Sequence, residues 1–168
     1  MNKLLKTAFI LLIILLTIVS YSYGQEAGAA RYRPDYRTVA VAVDPLQSLL
    51  FHLMGDDAIF LGGNVELAVT SHISLQLDLA YVSVSGVNGF QVGGGGRYYY
   101  TGKGVNGGWA GGYLDFFTVG EKSGLETALL SGYKFILGPL FIDPFIGFRL
   151  AIPEASVYRF GVNAGLTF

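Results

Sequence analysis

The chain of 168 residues contains no cysteine. Its absence excludes disulfide stapling, thiol nucleophiles, thiolate metal centres and lipoprotein anchoring. Charge is scarce as well, at 14% of residues, and no basic stripe offers nucleic acid a track. Two histidines, His52 and His72, confine imidazole chemistry to two places. Beyond the amino terminus no apolar run approaches the roughly 17 to 25 residues a spanning helix needs. If the chain lies in a membrane, it must do so as a closed barrel, because lipid cannot satisfy open backbone groups.

The amino terminus is where the apolar residues do run together. Lys3 and Lys6 precede Thr7 to Val19 (TAFILLIILLTIV), and small residues follow at Ser22 and Gly24. A basic start, a short apolar core and small residues before a cut describe a secretory signal peptide over 1–24. A retained anchor is the competing reading, and the shortness of the run argues against it. Residues 25–37 are polar, carry Pro34 and read as a periplasmic leader. Removing Lys3 and Lys6 from the 11 basic residues leaves 9 against 12 acidic ones, a net charge of about −3 for the mature chain.

From residue 38 onward the sequence alternates. In Ser156 to Phe168, the residues Tyr158, Phe160, Val162, Ala164, Leu166 and Phe168 share one parity, and Val157, Arg159, Gly161, Asn163, Gly165 and Thr167 the other, mostly small or polar one. Side chains of a strand point alternately to opposite faces, so this is a ribbon with one apolar and one small or polar side. The pattern recurs in Ile73 to Tyr81, where Ile73, Leu75, Leu77, Leu79 and Tyr81 oppose Ser74, Gln76, Asp78 and Ala80. Such segments predict eight strands at about 38–51, 59–69, 72–84, 89–101, 108–119, 124–136, 140–151 and 156–168. Asp44-Pro45 interrupts the first and marks a bulge or a strand end. The expected fold is all-β, an eight-stranded antiparallel up-and-down transmembrane barrel over 38–168.

Charge decides which face is inside. Asp44, Glu66, Asp78, Arg97, Asp115, Glu126, Lys134, Asp143, Arg149 and Arg159 all phase to the face opposite the apolar one. A water-soluble barrel would scatter its charges outward. The inverted pattern expects lipid against the apolar face and a lumen ion-pair network of these ten residues. Eight strands enclose a lumen just wide enough for side chains to fill. Tyr99, Tyr113, Phe117 and Phe145 also phase inward and would obstruct it, so no constitutive pore is expected.

Other constellations are weaker. Gly93-Gly94-Gly95-Gly96 lies within a strand with no helix after it, so it suits tight curvature or a bulky neighbour such as Tyr99 or Tyr113, not a phosphate. His52, Asp56 and Asp57 read as a solvated acidic turn more than as a metal site. No metal or cofactor is expected.

The chain resembles the small eight-stranded outer-membrane β-barrel proteins of diderm bacteria, OmpA-like in their transmembrane domain. The similarity rests on Asp44-Pro45-Leu46-Gln47-Ser48-Leu49-Leu50-Phe51, Asn64-Val65-Glu66 and Gly96-Arg97-Tyr98-Tyr99. It implies an outer-membrane location, a monomer contacting outer-membrane lipid, and an assembly signal formed by Tyr158, Phe160, Val162, Leu166 and Phe168 for the barrel-assembly machinery. It implies no activity, and the expected role is structural or surface-interacting, without catalysis. Two alternatives stay open. His72-Ile73-Ser74 resembles the His-x-Ser pair of some lipid A deacylases, and a charged lumen could form a small gated channel.

Overall fold

The computed structural model describes residues 37–54, 58–152 and 157–168. The expected signal peptide and all of the expected leader but Arg37 lie outside them, as do Asp56 and Asp57. The chain forms β1 (Val39–Val43), α1 (Pro45–Met54), β2 (Ile59–Ala68), β3 (Ile73–Val84), β4 (Val87–Tyr99), β5 (Gly107–Val119), β6 (Lys122–Leu137), β7 (Leu140–Ile152) and β8 (Val157–Thr167). Each strand pairs antiparallel with the next, and β1 pairs with β8 to close the barrel. Thr38 and Val39 donate to the Phe168 carbonyl at 3.0 and 3.3 Å, which seals the seam at the end where β1 begins and β8 finishes. This is the near end below, and the opposite one the far end.

Seven strands fall where alternation places them. The first does not. It ends at Val43, and the expected strand continuation to residue 51 is replaced by a helix. The cause is local. Asp44 accepts the Gln47 backbone N–H at 2.9 Å as an N-cap, and Pro45 occupies the first helical position, where a missing N–H costs nothing. Leu46, Leu49, Leu50 and Leu53 then follow helical spacing, and the last three are exposed. Because β1 is short, Ile59–Leu61 of β2 and Val157–Asn163 of β8 have no β1 partner in the far half. There α1 packs against both β2 and β8.

The β3–β4 and β5–β6 turns at the far end are tight. Ser85 and Gly86 both adopt positive φ, 49° and 81°, the backbone of a two-residue hairpin whose twist matches its strands. At the near end the longer β4–β5 connection folds back. Gly104 donates to the Ser71 carbonyl and Val105 to that of Arg37, and the Val105 side chain is fully buried.

Glycine makes room inside the barrel. The Trp109 indole lies over Gly132, Tyr113 over Gly95 and Phe145 over Gly161, each on a neighbouring strand. The glycine run of β4 therefore houses a bulky neighbour, and that neighbour is Tyr113. A Cβ at Gly132 would stand 2.5 Å from the Pro144 carbonyl oxygen and 2.9 Å from Trp109 Cζ2. Backbone cannot retreat as a flexible side chain can. Gly132→Val is expected to destabilise the barrel by about 1–3 kcal/mol, read as a lowered urea midpoint in the fluorescence of the single tryptophan.

The outer face is predominantly apolar, with Thr127 and Ser131 among its few polar side chains. Leu61, Leu75, Leu77, Leu114, Phe116, Leu129, Ile142, Ile146 and Phe160 all point outward and are exposed. Tyr158, Phe160, Leu166 and Phe168 of the closing strand share that face, while Asn163 is buried.

Candidate functional site: the charged lumen

The structure brings nine of the ten charges to the inner face on strands, with Asp44 just past the end of β1, and divides them into two tiers. The near tier is built around Glu66 of β2, which is fully buried. Its carboxylate accepts hydrogen bonds from Tyr99 Oη at 2.7 Å, Arg97 Nη1 at 3.1 Å, Ser74 Oγ and Lys134 Nζ. Arg97 Nη1 also reaches Asp143 Oδ2 at 2.8 Å, while Trp109 Nε1 donates to Asp143 Oδ1 at 2.7 Å. The guanidinium lies 3.8 Å above the Trp109 ring and donates through Nε to Tyr113 Oη. Lys134 stands 4.5 Å over the Phe141 ring.

Two carboxylates and two cations thus neutralise one another, with Ser74, Tyr99, Tyr113 and Trp109 completing their bonds. Buried charges are tolerable on those terms alone. The donors come from β3, β4, β5 and β6 and the carboxylates from β2 and β7, so only closure of the barrel assembles them. Beneath the tier, Val105 and Phe141 fill the near end.

The far tier is different. Glu126 lies 2.7 Å from Arg149 Nη2 and 3.5 Å from Arg159 Nη1. These arginine side chains are 38% and 26% exposed, so this half of the lumen is less tightly filled than the near one. Asp44 is spent on capping α1. Asp78 takes a hydrogen bond from Gln76 Nε2. Register aligns Asn64, Asp78, Gly93, Asp115 and Glu126 in one row across β2 to β6. Among the described residues, no cation lies within ion-pairing distance of Asp44, Asp78 or Asp115.

The other candidate groupings separate. His72 is exposed, with Nδ1 3.0 Å from the Tyr99 carbonyl, whereas Ser74 is buried and donates to Glu66. The pair shares no hydrogen bond and does not form a nucleophile–base couple in this geometry. His52 is exposed on α1. Among the described residues, no three of His, Asp or Glu converge as a metal centre.

No protein-family model, curated protein or solved structure matches the chain. Function must therefore be argued from the barrel itself. Trp109 and Phe141 are lumen residues that the sequence pattern offered without their being singled out. The parity of Trp109 with Tyr113 and Asp115 on β5 is the signal that would have found it.

Proposed function

We propose that the protein is an integral outer-membrane β-barrel of a diderm bacterium, without catalysis, serving envelope structure or a surface interaction. One observation carries this reading: large apolar side chains cover the outside of the barrel while ionised ones are turned inward. In water that exterior would be a single apolar belt far beyond what soluble monomers display. In a bilayer it is the expected lipid-facing band. The closing strand supports the same reading, because Tyr158, Phe160, Val162, Leu166 and Phe168 suit a carboxy-terminal assembly signal, and the exposed aromatics Tyr98, Tyr100 and Tyr158 suit interfacial girdles. An ion-pair lumen with Tyr99, Trp109, Phe141 and Val105 packed in its near half argues for a stabilising role over a constitutive pore.

The test is the behaviour of the full chain in envelope fractions. It should remain in the membrane after carbonate extraction and migrate faster unboiled than boiled on a denaturing gel. A carbonate-released, water-soluble product would overturn the reading. Discrete conductance in planar bilayers would replace the structural role with a channel. Release of acyl chains from labelled lipopolysaccharide, lost in His72→Ala, would replace it with an enzyme.

A further inference from the structure

We propose that Asp78 and Asp115, with the side-chain carbonyl of Gln76, hold a hard divalent cation, Ca²⁺ or Mg²⁺, in the far half of the lumen. Three observations converge on this point. The first is placement. Asp78 and Asp115 both pair with Gly93, one from β3 and one from β5. Gly93 puts no side chain between them, and Asp115 folds over it so closely that a Cβ there would meet its carboxylate.

The second is a set of oxygens without partners. Gln76 gives its amide N–H to Asp78 Oδ1, which leaves Gln76 Oε1 and Asp78 Oδ2 on the same pair of side chains. These two atoms and Asp115 Oδ1 are buried, and none has a hydrogen-bond partner among the described residues. Gln76 is 8% and Asp115 2% exposed. Buried polar oxygens are satisfied in almost every native fold, so three together call for a ligand.

The third is charge. The near tier balances, two carboxylates against two cations, whereas the far tier sets Asp44, Asp78, Asp115 and Glu126 against Arg149 and Arg159 alone. Among the described residues the lumen as a whole is therefore short of two positive charges, the charge of one dication, and Asp78 and Asp115 are the far-tier acids with neither an ion pair nor a helix to cap. Arg97 and Arg159 act on Asp78, and Arg159 and Arg149 on Asp115, all from beyond ion-pair distance, and Gln91 donates to the Asp115 carboxylate, which together lower the affinity. Oxygen donors with no imidazole or thiolate among them select hard cations. Three protein oxygens leave the remaining positions to water, which favours weak, exchangeable binding on the order of 10⁻⁴ to 10⁻³ M.

The experiment uses the full-length protein in neutral detergent after EDTA treatment. Thermal unfolding is followed while CaCl₂ or MgCl₂ is raised at constant ionic strength. About ten times the dissociation constant should raise the wild-type midpoint by roughly 3–6 °C and then approach saturation. Asp78→Asn and Asp115→Asn should each abolish that response, Gln76→Leu should weaken it several-fold, and Glu121→Gln in the exposed β5–β6 turn should leave it intact. Equilibrium dialysis of the wild type against Ca²⁺ gives a readout that does not depend on the variants folding. The inference fails if the wild type neither binds nor responds to either ion. It also fails if Asp78→Asn and Asp115→Asn respond as the wild type does. A barrel that stays in the membrane yet ignores both ions would overturn this inference alone. A water-soluble product that binds Ca²⁺ through Asp78 would overturn only the membrane reading.

Discussion

Replacing Glu66 with alanine is expected to cost the barrel about 3–5 kcal/mol, the penalty of leaving buried cations without their counter-charge. Arg97 would keep Asp143, but Lys134 would lose its only ion-pair partner among the described residues. Tyr99 and Ser74 would each lose an acceptor at a fully buried site. The measurement is the urea midpoint of the refolded protein in detergent, with the loss of the fast-migrating unboiled band as a second readout. Glu66→Ala combined with Lys134→Met should recover part of the loss, because it removes the stranded ammonium. If the single variant were as stable as the wild type, the near tier could not be what holds this half of the lumen together.

The second large effect tests which solvent the outer face meets. Leu129 lies at the middle of β6, points outward and is 71% exposed. If that face is in hydrocarbon, Leu129→Arg puts a charge near the midplane and should destabilise the inserted barrel by about 2–4 kcal/mol. If the face were in water, the same change would break up an apolar patch and improve solubility. The two environments predict opposite signs. Folding into phospholipid vesicles, followed by gel mobility across a urea series, reads the difference. Leu137→Arg, at the near end of the same strand, should cost far less, because the penalty falls towards the interface.

Much of this architecture was legible without coordinates. Alternation over Ile73–Tyr81, Leu125–Phe135 and Tyr158–Phe168 assigned each side chain to a face, since pleat direction depends only on neighbours along the chain. The same parity sent Glu66, Arg97, Asp143 and the other charges inward. It erred over residues 45–51. Asp44-Pro45 was legible as a break but read within a strand, although the cap, the proline and the Leu46, Leu49, Leu50, Leu53 spacing together specify a helix. Short apolar runs carry both periods at once, and the cap is what decided between them.

By itself, then, the sequence determined an eight-stranded barrel with apolar residues outside and charge within, because those properties follow from local alternation and turn chemistry. Only the tertiary structure decided which charges meet. It joined Glu66 to Arg97 and Lys134, passed Arg97 on to Asp143, and left Asp78 and Asp115 facing across Gly93. Those pairings cross three to five strands and depend on the stagger with which the sheet closes. No spacing along the chain encodes that stagger, so the division of ten charges into a neutral tier and an acid-rich one emerges only when the barrel shuts.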